Sequence, residues 1–156
     1  MDTVLASVVA VAGTLIGSLS TYLFQRRTVE RAEVMAREER LRQERLAAYG
    51  GYAGAVTELK RGVITLWFRR RRSPRDEDAY RAAQLESDRL GAAAEAAAFR
   101  LHLVADEPVL RQLMDAVSAK ISEIRQAEDR QRLIALEAEF EQAVRAFLDA
   151  AARRIQ

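Results

Sequence analysis

No charged side chain interrupts the run from Val4 to Phe24, VLASVVAVAGTLIGSLSTYLF, and nowhere else does the chain go so long without one. At about 1.5 Å per residue a helix of this length covers roughly the 30 Å hydrocarbon core of a bilayer, and a helix satisfies its own backbone polar groups in lipid. The run predicts a transmembrane helix over 4–24. A cleaved signal peptide would need a basic leader and a small-residue cleavage site. Here the leader is Met1, Asp2, Thr3, and the run closes on Tyr22, Leu23, Phe24, Gln25, Arg26, Arg27, an aromatic belt followed by a charge anchor. Arginines at 26, 27, 31 and 37, against one aspartate before the span, place the C-terminal side in the cytoplasm and the N-terminus outside the inner membrane.

Beyond the run, apolar positions recur at helical spacing in four blocks. The first spans Gln25 to about Arg72. Its proximal part, 25–45, is charged nearly all round with opposite charges three and four apart, which predicts a solvated helical stalk. From Leu46 a stripe sets in at Leu46, Tyr49, Ala53, Val56, Leu59, Val63 and Leu66, and its spacing carries a continuous helix through Gly50 and Gly51, with a hairpin there as the alternative. Ser73 and Pro74 break the pattern, and Asp76, Glu77 and Asp78 open a second helix to about Val104 with the stripe Tyr80, Ala83, Ser87, Leu90, Ala94, Ala97, Leu101, Val104. Asp106 as cap and Pro108 in the first turn begin a third helix, striped at Leu110, Leu113, Val117, Ile121 and Ile124. A turn within 126–131 leads to a fourth, with Leu133, Leu136, Phe140, Val144, Phe147, Ala151 and Ile155. Short connections between such helices predict an all-α antiparallel bundle over 46–156.

Within the membrane run, Ala6, Ala10, Gly13, Gly17 and Thr21 fall on one face, Gly13 and Gly17 forming a GxxxG pair. Small side chains let backbones approach closely in lipid, so this face is the candidate for homo-oligomerisation.

Composition narrows the remaining options. There is no cysteine, which excludes disulfides and thiol catalysis. Two prolines and seven glycines leave long helices uninterrupted. Arginine outnumbers lysine 23 to 2, a bias expected of a GC-rich genome. Charge is unevenly placed: residues 25–75 carry 14 basic and 6 acidic side chains, net +8, and residues 76–156 carry 11 and 16, net −5. The densest basic feature is Trp67 and Phe68 followed by Arg69, Arg70, Arg71 and Arg72. Such an aromatic-basic cluster can meet anionic lipid head groups, nucleic-acid phosphates or an acidic protein surface, or it can simply complement the dipole at a helix end.

Catalytic and metal-binding chemistry has little to build on. His102 is the only histidine; Glu95 and Asp106 share its helical face, but the paired Glu-x-x-His elements of di-iron bundles do not occur. A histidine near a helix end suits the dipole there without any ligand. No Gly-rich phosphate loop or nucleophile elbow is present. The expectation is therefore a non-enzymatic chain without metal or cofactor.

ArgLeuAlaAlaTyr at 45–49 with Tyr52 and Leu59, then Leu101, Leu103, Val104, Val109 and Leu110, and finally Ala150, Ala151, Ala152, Arg153 and Arg154 follow the loose pattern of a group of small single-pass membrane proteins of GC-rich bacteria, which the chain resembles over most of its length. The resemblance implies an anchor, a stalk and a cytoplasmic bundle, and carries no activity with it. The layout is also similar to the b subunit of rotary ATP synthases, but the proline-broken bundle departs from that protein's long dimer helix.

These readings lead to a membrane-anchored interaction or scaffold protein, its expected partners being a second copy and a cytoplasmic protein. The alternative is a holin-like or defence-related effector whose anchor helices assemble into a pore.

Overall fold

The computed structural model describes the backbone of residues 2–74, 76–105 and 107–155, and the side chains of these from residue 32 onward. Among the described residues the chain is all-α, with four helices and no strand: α1 (Asp2–Arg71), α2 (Glu77–Val104), α3 (Pro108–Gln126) and α4 (Arg130–Ala152). Two compact units divide it, Met1–Leu41 and Arg42–Gln156. In the first, the described side chains from residue 32 are all exposed, Val34 and Met35 among them. Among the described residues no helix is long and apolar enough to cross a membrane. The expected span at 4–24, with Ala6, Ala10, Gly13, Gly17 and Thr21, lies outside the residues whose side chains are described.

The second unit is a helical bundle, and its connections follow local chemistry. Asp76 caps α2, its carboxylate accepting from the Ala79 N–H at 2.9 Å, and Asp129 caps α4 by accepting from the Arg132 N–H at 2.7 Å. The cap of α3 is Glu107, not the expected Asp106. Pro108 occupies the first helical position, and a proline forces the residue before it into extended backbone, which is the conformation a cap needs. The helix passes through Gly50 and Gly51 without a break, so the hairpin alternative is not realised.

Contacts fix the directions of the helices. The Trp67 indole near the end of α1 meets Ala127 between α3 and α4, while Tyr52 meets Met114 of α3 and Phe147 of α4, ring centroids 5.0 Å apart. α1 thus runs parallel to α3 and antiparallel to α4. Gly62 of α1 lies against Ser87 and Leu90 of α2, and Ala48 and Ala55 share a groove with Ala93 and Ala97, so α2 returns antiparallel. The result is the expected up-and-down arrangement.

The buried face of α1 differs in detail from the expected stripe. Tyr49, Val56, Leu59 and Val63 are buried as expected, but Tyr52 and Trp67 are buried where Ala53 and Leu66 were expected, and Leu46 is exposed. Burying a large aromatic removes more apolar area from water than burying alanine, provided its polar tip finds a partner. Both tips do: the Tyr52 hydroxyl donates to the Met114 carbonyl at 3.3 Å, and the Trp67 Nε1–H to the Ala127 carbonyl at 2.8 Å. Stripes on the other helices follow expectation closely, with Ser87, Ala94 and Leu101 buried on α2, and Met114 and Ala150 joining the faces of α3 and α4.

Small residues set the α1–α2 distance. A Cβ built on Gly62 would stand 2.7 Å from Leu90 Cδ1 and 3.6 Å from Ser87 Cα, whereas one on Gly50 or Gly54 would meet nothing within 4 Å. Ser87 is buried and its Oγ has no hydrogen-bond partner, so its value at this position is its size. Gly50→Ala and Gly54→Ala should each raise stability by about 0.5–1 kcal/mol, because the helix loses backbone freedom in the unfolded state at no steric cost. Gly62→Val should lower it by about 1–3 kcal/mol by overpacking. Thermal unfolding followed by circular dichroism would read both signs.

Burial pushes the Tyr52 hydroxyl up to about 12, with Asp115 adding to the rise and a hydrogen bond from Ser118 opposing it. Folding therefore favours the protonated phenol. Its contribution is intact below the ordinary tyrosine value near 10 and is lost as pH rises toward 12. Stability should fall by about 2–3 kcal/mol across this window, and Tyr52→Phe should flatten that part of the alkaline loss.

Candidate functional site

The basic end of α1 is built by the tryptophan beside it. Trp67 is buried with its indole N–H committed to the Ala127 carbonyl, and that contact sets the rotation of the last turn. Arg71, one turn later, then falls over the indole, its guanidinium carbon 4.2 Å from the ring centroid. From there it donates to the carbonyls of Ala127 at 2.7 Å and Glu128 at 3.0 Å. Two of the five sequence-predicted patch residues, Trp67 and Arg71, therefore hold the α3–α4 connection to α1.

The remaining three point elsewhere. Arg70 and Arg72 are exposed and Arg69 is half-buried. Phe68 is also exposed, its ring packed edge-on against Trp67 with centroids 5.0 Å apart. Thr65, Phe68, Arg69, Arg71 and Arg72 line an open cleft of about 540 Å³. Because Arg71 ties the α3–α4 turn to this end, the exposed Arg125 and Arg130 on either side of that turn are brought to it as well, together with Glu128 and Asp129. Guanidinium groups beside an aromatic face suit phosphate or carboxylate ligands through charge-assisted hydrogen bonds.

Basic residues farther along are engaged within the bundle. Lys60 Nζ lies 3.6 Å from Glu137 and 3.5 Å from Glu141, and 5.6 Å from the Phe140 ring centroid. Lys120 of α3 bridges Glu139 of α4 at 2.7 Å and its own-helix neighbour Glu123 at 2.9 Å, while Arg132 reaches the same two carboxylates. Hydrogen bonding to Glu139 and Glu123 raises the Lys120 ammonium above its ordinary value, and the bond from Lys120 lowers the Glu139 carboxyl. These pairs register α3 against α4. Helical spacing shows only the Lys120–Glu123 pair, three residues apart; Lys120–Glu139 and Lys60–Glu141 join residues 19 and 81 apart and appear only in the fold.

His102 sits exposed in the last turn of α2, and Glu95 is exposed two turns before it; Asp106 lies outside the described residues. Among the described residues no group of three or more His, Asp or Glu is placed to hold a metal ion. A second concavity, an open groove of about 400 Å³, separates α1 from α2. Ala47, Ala48, Gly51, Tyr52 and Ala55 line one wall, and Ala93, Ala96, Ala97 and Arg100 the other.

The four consecutive arginines should separate in a mutational series. Arg71→Ala should cost about 1–3 kcal/mol, through lost hydrogen bonds to two carbonyls and the lost contact with the indole. Arg70→Ala should stay within about 0.5 kcal/mol of the parent. Equal effects in denaturant titrations would contradict the assignment of Arg71 to the fold.

Comparison with known proteins bears on the bundle. One protein-family model, described as KilB plasmid transfer protein, matches residues 46–155. No curated protein and no solved structure matches the chain. The matched span begins at Leu46 and takes in the end of α1 with all of α2, α3 and α4, including the basic end and the α1–α2 groove. It replaces the looser resemblance to single-pass membrane proteins with a defined family. The chain belongs to the KilB plasmid transfer protein family.

Proposed function

We propose that this protein is a membrane-anchored, non-enzymatic interaction component of plasmid transfer, held in the inner membrane by residues 4–24 with its bundle in the cytoplasm. The observation that carries the reading is the uncharged 21-residue run with its aromatic and arginine flank, standing in one chain with the bundle of a plasmid transfer family. A DNA-transfer process has to pass its substrate across an envelope, so a member of such a family with an anchor belongs where the passage occurs. Two surfaces would serve it. The small-residue face of Ala6, Ala10, Gly13, Gly17 and Thr21 would associate anchors, and Phe68 with Arg69, Arg70 and Arg72 would meet an acidic protein partner, anionic lipid or nucleic-acid phosphates.

A pore-forming effector is the second reading. It is favoured by the hydroxyl residues Ser7, Thr14, Ser18, Ser20 and Thr21 within the apolar run, which could line a water-filled path between associated helices.

Alkaline-carbonate fractionation of the full chain, beside a variant beginning at Thr28, tests the anchor. The full chain should remain with membranes and the variant should not, and a C-terminal tag should resist protease in spheroplasts. Release of the full chain by carbonate would overturn the reading. Expression toxicity relieved by Gly13→Leu with Gly17→Leu would move the balance to the effector. A drop in plasmid transfer frequency without toxicity would keep it with the interaction component.

A further inference from the structure

α2 carries a second apolar face. Its core side, with Ser87, Ala94 and Leu101, is buried, yet on the opposite side Leu85, Ala92, Ala96, Phe99 and Leu103 form a straight stripe at steps of seven, four, three and four. Its large members are open to solvent, Leu85 at 68 %, Phe99 at 60 % and Leu103 at 89 %. Scattered exposed apolar residues are ordinary, but a set aligned from Leu85 to Leu103, broken only at Arg89, which pairs with Glu86, is the pattern of a helix–helix seam. On one side the stripe borders the α1–α2 groove, which shares Ala96 with it, so small residues continue the apolar surface and allow close approach.

The charges beside the stripe say what covers it. At 100° per residue, one flank carries Asp88 and Glu95, with Arg81 toward its start, and the other carries Arg89 and Arg100, with Glu86 beyond. Arg89 and Glu86 pair within the helix at 2.6 Å. Glu95 and Arg100 have no hydrogen-bond or ion-pair partner among the described residues. In a parallel pair of helices a residue on one flank faces the residue five positions later on the opposite flank of its partner. Glu95 then meets Arg100 of the second copy, and Arg81 meets Glu86 of the second copy, each contact occurring twice by the two-fold symmetry. An antiparallel pair instead sets each flank against itself: it brings Glu86 toward Arg100 but also Glu95 toward Asp88, so like charges offset unlike ones, whereas the parallel register pairs unlike charges on both flanks.

We propose that the outer face of α2 is a homodimer interface in which two copies pack α2 against α2 in parallel, with Leu85, Ala92, Ala96, Phe99 and Leu103 as the seam and Glu95–Arg100 pairs along its edges. The proposal shares with the proposed function only that the chain associates with itself; it does not require the membrane helix or its small-residue face. A two-fold axis along α2 places the two basic ends on the same side of the dimer, so each ligand-binding surface is presented twice in one direction.

Because the chain has no cysteine, position-specific cross-linking of the full-length protein in nanodiscs is direct. Single variants Leu85→Cys, Ala92→Cys and Phe99→Cys, treated with a short bismaleimide, should each give a covalent dimer, while Gln142→Cys on the exposed face of α4 should not. A fully overlapping antiparallel pair would hold Leu85 roughly 25 Å from its copy along the axis and cross-link only near the centre. Cross-links at Ala92 alone would therefore overturn the parallel register, and none at any of the three would overturn the interface. In the Phe99→Cys background, Glu95→Arg should remove most of the dimer product and addition of Arg100→Glu should restore it; loss without restoration would overturn the charge pairing. Gly13→Leu with Gly17→Leu should leave the α2 cross-links in place. If those substitutions abolish them, association belongs to the anchor and the α2 interface fails, whereas persistence of the cross-links in a chain that carbonate releases would sustain this interface while the anchor reading fails.

Discussion

Within the bundle, α1 has to bury two faces of opposite character at once, and the other contacts follow from how it does so. One face is bulky: Tyr49, Tyr52, Val56, Leu59, Val63 and Trp67 enter the space above α3 and α4. The adjoining face is small: Ala48, Gly51, Ala55 and Gly62 let α2 approach until Leu90 and Ser87 sit against the Gly62 backbone. A bulky residue at position 62 would push α2 outward, and a small one at 52 or 67 would leave α3 and α4 without the polar tips that take up the carbonyls of Met114 and Ala127.

The same packing determines which charges remain available. Once Trp67 is seated, Arg71 is drawn over its ring and onto the α3–α4 turn, so it serves the fold. Arg70 and Arg72 cannot reach those carbonyls from their side of the helix and stay in solvent, with Phe68 exposed beside them. A tightly folded tryptophan thus creates the basic surface of a plasmid transfer family member by sorting four chemically identical neighbours.

Much of the architecture was legible along the chain. Helix limits fall within a few residues of those expected, because Pro74 and Pro108 forbid helical continuation and the apolar steps of three and four admit one period. Less legible were positions where two candidates of one stripe compete. Tyr52 prevailed over Ala53 through area and a reachable carbonyl, and neither shows in spacing. The outer stripe of α2 was present in the sequence at Leu85, Phe99 and Leu103, but the alanines between them read equally well as a flat inner face.

By itself, then, the sequence determined the all-α class, the four helical blocks, the polarised charge and the uncharged run at 4–24, since each depends only on local spacing and residue chemistry. Tertiary structure decided that Tyr52 and Trp67 complete the inner face of α1 in place of Ala53 and Leu66, that Arg71 and not Arg70 anchors the α3–α4 turn, and that α2 is left with an apolar stripe in solvent. Those outcomes depend on distances between residues far apart in the chain, and periodicity along one helix contains no information about which helix it will meet.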